Sequence, residues 1–236
     1  MFNIGTITIY GFIVGIIGTG LGGLISLFIK ETNRVLSFLL GLTGGFMLFI
    51  VTFHLLPEAF ILGGLITAII GIILGILLVI IVENSIHKKA ENSIMKTSIL
   101  LGISIAVHNF PEGLALGSSL LTISDFGSIL ALAMLLHNIP EGISMAIPMK
   151  INKTAPFKIL LLTILTGIPT GIGAFIGAYV GMISHVFISL CLSFAGGTML
   201  YIICDEIIPN AKTLYSGRDS SLGIVIGFVI GIVLYL

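Results

Sequence analysis

The apolar runs of this chain are too long and too many for a soluble core. Eight stretches, at 7–29, 37–56, 61–82, 97–121, 127–149, 159–181, 186–207 and 221–236, carry few charges. About 20 such residues let a helix cross a hydrocarbon core ~30 Å thick. Only 8% of the residues are charged, against about 25% in an average soluble domain. The expectation is an all-α membrane protein with eight transmembrane helices, residues 1–236 forming one membrane domain whose partner is the lipid bilayer.

Charge is balanced overall but unevenly placed. Lys30 and Arg34 follow the first run, Lys88, Lys89 and Lys96 the third, Lys150, Lys153 and Lys158 the fifth, and Lys212 and Arg218 the seventh. All of them fall on one face of the membrane. Basic loops stay cytoplasmic, so both termini are expected outside. The first basic residue is Lys30, so the N-terminus lacks the positive region of a secretory signal and no cleaved segment is expected. Residues 83–96, ENSIHKKAENSIMK, read as a cytoplasmic loop, and TISDFG at 122–127 reads as a turn. No nucleic-acid partner is expected.

The chain repeats itself. TGGFMLFIVTFHLLPEA at 43–59 lies over AGGTMLYIICDEIIPNA at 195–211 without a gap, so that Gly44, Gly45, Met47, Pro57 and Ala59 meet Gly196, Gly197, Met199, Pro209 and Ala211. TGLGGLIS at 19–26 likewise matches TGIGAFIG at 170–177. The second run enters from the cytoplasm and the seventh from outside, so helices 1–3 and 6–8 are expected to be inverted repeats around helices 4 and 5, a 3+2+3 arrangement. Inverted repeats enclosing a site near the bilayer midplane are characteristic of secondary transporters.

The fourth and fifth runs carry two nearly identical hexapeptides, HNFPEG at 108–113 and HNIPEG at 137–142. On a helix, positions four apart share a face, so His108 is expected beside Glu112 and His137 beside Glu141. Pro111 and Pro140 have no N–H to donate, which frees the carbonyls of Val107 and Leu136. The amides of Asn109 and Asn138 add neutral oxygens. A charge at the membrane centre costs about 2.5–3.5 kcal/mol on insertion scales, and two facing carboxylates need a cation between them. Imidazole, carboxylate and amide together suit Zn2+, Fe2+, Mn2+, Co2+ or Cd2+, whereas the absence of thiolate and thioether disfavours Cu(I). The ion is expected as transported substrate, not as cofactor.

At these residues the chain resembles the ZIP (Zrt/Irt-like protein) family of divalent metal transporters, along essentially its whole length. The resemblance implies uptake of zinc or a related metal into the cytosol through a site of His108, Asn109, Glu112, His137, Asn138 and Glu141. It also implies a homodimer in which helices 1, 4, 5 and 6 move as an elevator against helices 2, 3, 7 and 8. Where some members carry a helix-6 glutamate that bridges two metals, TGIPTGIGA at 166–174 offers Thr170. Thr170 is therefore a candidate accessory hydroxyl, and a second metal is not implied.

The repeat pairs His54 with Glu206. By topology His54 and Glu58 form a candidate entrance, and Asp205 and Glu206 a candidate exit. Binding needs neutral imidazole and ionised carboxylate, so uptake is expected to fall in mildly acidic medium. Two rival functions are a metal-selective channel and an intramembrane zinc metalloenzyme. A zincin protease would need His-Glu-x-x-His, which is absent, and duplicated ligands on antiparallel helices suit passage better than asymmetric chemistry. Loop economy points to a prokaryotic plasma membrane.

Overall fold

The computed structural model describes residues 3–30, 32–87, 94–122 and 124–235. Among them every regular element is helical: α1 Ile4–Ser26, α2 Asn33–Ile50, α3 Leu56–His87, α4 Ile94–Thr122, α5 Ser124–Ile151, α6 Pro156–Thr166, α7 Ile168–Gly181, α8 His185–Ile202, α9 Ile208–Leu214 and α10 Asp219–Tyr235. Helix is the form in which a lipid-immersed chain satisfies its own backbone polar groups. Five helical stretches among the described residues are long and apolar enough to cross a membrane: Ile4–Ser26, Asn33–Ser85, Phe126–Ile151, Pro156–Gly181 and His185–Leu214. Asp219–Leu234 is apolar but shorter.

The long stretch Asn33–Ser85 is a hairpin. Gly64 has φ 74° and ψ 172°, a region open in practice to glycine alone. Before it, Gly196 of α8 lies against Leu55 and Leu56, and Ala59 accepts a bond from Ser189. After it, Gly71 lies against Ser193 and Gly75 against Phe194. The chain therefore descends α8 and then climbs it again. The turn falls at Gly64, inside the run expected to begin at residue 61, because a glycine and not a polar residue makes it.

Other boundaries also differ from the sequence reading. The sixth run is broken between α6 and α7 at Gly167, just ahead of Pro169, whose missing N–H cannot continue the ladder. Helix extends through His87 and resumes at Ile94, so it enters both ends of the expected 83–96 loop. Residues 88–93, with Lys88 and Lys89, lie outside the described residues. The expected turn at 122–127 is compressed, since α4 ends at Thr122 and α5 begins at Ser124.

Equivalent positions in the two repeats make the same local structure. Thr32 and Ser184 each cap a helix, accepting from the amides of Val35 and Phe187. Between α2 and α3, Val51–Leu55 forms a π-helical turn, and Ile203–Ile207 forms its counterpart between α8 and α9. The amide of Leu56 bonds the carbonyl of Val51, and that of Ile208 bonds the carbonyl of Ile203. Pro57 and Pro209 follow directly. A proline ring crowds the carbonyl four residues before it, and the wider π turn makes that room.

Tertiary contacts repeat as well. Ser37 Oγ donates to the Ala211 carbonyl at 2.6 Å, and Ser189 Oγ to the Ala59 carbonyl at 2.7 Å. Gly45 lies against the carbonyl of Ile224 on α10, and Gly197 against that of Ile72 on α3. A side chain at either glycine would push the helices apart. Small residues thus do in this chain what they do in membrane helices generally, letting backbones approach.

The same device seats the hexapeptides. Gly113 of α4 lies against the Thr170 carbonyl of α7, and Gly142 of α5 against the Thr19 carbonyl of α1. Gly15 and Gly167 meet where α1 crosses the α6–α7 break. Lys150 Nζ donates to the carbonyls of Ser26 and Ile29, each at 3.0 Å, and Arg34 Nε to Asp219 Oδ1 at 2.8 Å.

Candidate metal site

Pro111 and Pro140 lie inside α4 and α5, and the residues flanking them turn towards each other. His108, Asn109, Glu112, His137, Asn138 and Glu141 are all buried. Ligand atoms of His108, Glu112 and Glu141 come within 4.8 Å of one another. His137 Nε2 stands 3.1 Å from Glu112 Oε1, and His108 Nε2 stands 3.2 Å from Glu141 Oε1.

The close His–Glu contacts run between the helices. Each hexapeptide does present its His and Glu on one face, but the two faces oppose one another. The imidazole of one helix therefore meets the carboxylate of the other.

The outer partners fix the ligands unevenly. His137 Nδ1 lies 2.9 Å from the Ala133 carbonyl, which can only accept, so the proton sits on Nδ1 and Nε2 is turned to the centre. An outer carbonyl holding one ring nitrogen is the usual way a metal-ligating histidine is oriented. Asn109 Nδ2 donates to the Thr166 carbonyl at 2.8 Å. Several buried atoms have no hydrogen-bond partner: Nδ1 and Nε2 of His108, Oδ1 of Asn109, Oε2 of Glu112, both amide atoms of Asn138, both carboxylate oxygens of Glu141 and Oγ1 of Thr170. The His108–Glu141 approach is close in distance but misaligned as a hydrogen bond. Buried polar groups are normally satisfied, and so many orphans converging in one place mark a site shaped for a ligand.

A cavity of about 330 Å3 leads away from this cluster. His108 and Glu141 line it together with Ser144, Glu206, Asn210, Thr213 and Leu214. Ser104 Oγ approaches Glu206 Oε2 at 3.4 Å. The candidate exit pair is thus divided: Glu206 lines the cavity, whereas Asp205 is exposed and is not among the lining residues.

The candidate entrance is closed. His54 is buried, its ring centroid 5.6 Å from those of Phe49 and Phe126. It borders an apolar cavity of about 40 Å3 with Phe46, Ile50 and Ala133. Glu58, one turn on, is half-buried. Thr170 is fully buried, and Gly15 lies against its side chain.

Sequence reasoning missed the carbonyls of Ala133 and Thr166, the cavity residues Ser144 and Asn210, and Ser104 beside Glu206. Carbonyls carry no residue signature. Ser144 could have been found, because it lies one turn beyond Glu141 on the ligand face.

Residues 84–235 match the family model described as ZIP zinc transporter. The zinc transporter ZupT of Stenotrophomonas maltophilia (strain R551-3) is 30% identical, covering 89% of this chain and 88% of its own length. The ZupT of Enterobacter sp. (strain 638) is 30% identical over 98% of this chain and 93% of its own. The zinc transporter GufA of Myxococcus xanthus is 34% identical over 63% of this chain and 59% of its own.

Proposed function

Because this chain belongs to the ZIP zinc transporter family, we propose that it carries a divalent transition metal, zinc foremost, across a membrane into the cytosol. The observation that carries this reading is the pair of crossed contacts, His108 with Glu141 and His137 with Glu112, closing on one point inside a buried cluster. Two carboxylates and two imidazoles held there can exchange the hydration shell of a borderline cation for protein ligands. The function is transport and not catalysis.

The metal ligands are His108, Asn109, Glu112, His137, Asn138 and Glu141, with Thr170 as accessory. Fe2+, Mn2+, Cd2+ and Co2+ have the chemistry to use the same donors. The chain crosses the membrane eight times in a 3+2+3 order, with both termini outside. Two observations support the order: the hairpin at Gly64 and the repeated contacts of Ser37 and Ser189. The protein sits in a prokaryotic plasma membrane as a homodimer.

Transport is by alternating access. His54 and Glu58 lie on the entry side, now sealed by Phe49 and Phe126, and Glu206 lies on the exit side, now open through the cavity. The conformation fits a cytoplasm-facing state. Asp205 has a weaker claim to the exit than Glu206, since it is turned away from the cavity.

The test is zinc entry into proteoliposomes holding the purified protein, comparing wild type with Glu112→Ala and Glu141→Ala. Saturable entry lost in both variants supports a carrier with this site. Entry that grows linearly with concentration and carries current favours a channel, and binding without entry removes the transport reading.

A further inference from the structure

Two backbone carbonyls beside the ligands have accepted different donors in the two halves of the protein. In the second half, Asn109 Nδ2 bonds the Thr166 carbonyl at 2.8 Å, and the hydroxyl of Thr170, one turn on, has no partner. In the first half, the hydroxyl of Thr19 bonds the Gly15 carbonyl at 2.9 Å, and the amide of Asn138 has no partner at either atom. All four side chains are buried.

These groups correspond. TGLGG at 19–23 aligns with TGIGA at 170–174, which sets Thr19 on Thr170 and Gly15 on Thr166, while the hexapeptides set Asn138 on Asn109. Packing preserves the register, because Gly142 lies against the Thr19 carbonyl and Gly113 against the Thr170 carbonyl. Each asparagine stands one turn before its glycine, and Gly18 of α1 lies against Asn138 itself. A threonine inside a helix ordinarily bonds the carbonyl four residues back. Thr19 does so. At Thr166 the asparagine occupies that carbonyl instead.

We propose that Thr19 and Thr170 are positioning residues, each competing with a site asparagine for one carbonyl and so deciding whether that asparagine is fixed as an oxygen donor or left to turn. Gly15 lies inside α1, so its carbonyl already accepts a main-chain bond and has one lone pair left for a side chain. With its NH2 group tied to Thr166, Asn109 points an unpartnered Oδ1 to the buried interior as a ready ligand. Asn138 has lost that tie to Thr19 and keeps its amide mobile. One fixed and one loose amide give the ion a grip that can be released. Thr19 acts on the ion only through Asn138, while the Thr170 hydroxyl, left without a partner by Asn109, keeps its accessory role.

The inference rests on the metal-transport reading and is tested by separating zinc affinity from turnover. Thr19→Val removes the hydroxyl at nearly constant volume and frees the Gly15 carbonyl for Asn138. Zinc affinity of the purified protein is expected to rise by about fivefold, the scale of one net hydrogen bond, with a matching fall in maximal entry rate. Thr19→Ser restores wild-type values, and Asn138→Ala added to Thr19→Val abolishes the gain. Thr19→Ala supplies the same hydroxyl deletion if the valine variant fails to fold. Unchanged or weaker affinity in a folded hydroxyl-deleted variant overturns the inference, as does a gain that persists without Asn138. If wild type binds no zinc, the transport reading fails first; if wild type transports and the variants match it, only the present inference fails.

Discussion

His137 reaches across to Glu112 on the neighbouring helix, 3.1 Å away, and not along its own helix to Glu141. The His–Glu pairs are therefore shared between α4 and α5.

Contacts shared in this way couple the two helices. Replacing Glu112 or Glu141 by Gln is expected to weaken zinc binding by more than the roughly 10- to 100-fold typical of losing an outer-shell partner. Combining Glu112→Gln with His137→Gln should cost less than the sum of the two single losses, because the residues in contact act as a unit. Calorimetric titration with zinc checks both, and strict additivity would argue against the crossed arrangement.

Glu206 lines the cavity and Asp205 does not. Glu206→Ala is expected to slow zinc release, lowering maximal entry, while Asp205→Ala leaves it near wild type. Entry rates of the two single variants, measured side by side in proteoliposomes, decide between them; equal effects would show that exposure in this state does not predict the exit route.

Asn210, Thr213 and Leu214 line the cavity, and His54 is packed against Phe49 and Phe126. In a Cys204→Ser background, since Cys204 is exposed, Asn210→Cys should react with a membrane-impermeant maleimide from the cytoplasmic face. Ile50→Cys should resist the reagent from either face. Reaction of Ile50→Cys from outside would mean that the aromatic seal opens readily.

Gly45 and Gly197 press on the carbonyls of Ile224 and Ile72. Alanine at either is expected to destabilise the protein by about 1–3 kcal/mol, the usual cost of overpacking, and by similar amounts because the contacts are equivalent. Gly64→Ala should cost about 1–3 kcal/mol as well, through backbone strain alone, since nothing lies within 4 Å of its added carbon. Thermal melting in detergent compares the three. A harmless Gly64→Ala would remove the glycine-only turn.

The membrane as solvent, the internal repeat and the donor types of the candidate site were legible in the sequence. Apolar runs can only be helices in lipid, and a His, Asn and Glu set recurring with one spacing is a local signal that survives any packing. The repeat was legible because Gly, Pro and Ala punctuate it at fixed intervals, and the π turns before Pro57 and Pro209 are its backbone expression. Tertiary structure decided the partners. Whether His108 meets Glu112 or Glu141 depends on how α4 faces α5, which is set by Gly113 and Gly142 resting on carbonyls of α7 and α1. The division between Glu206 and Asp205, the break at Gly167 and the hold of Thr166 on Asn109 are likewise choices among helix faces and carbonyls. Periodicity fixes which residues share a face, while the partner of that face depends on contacts between segments far apart in the chain.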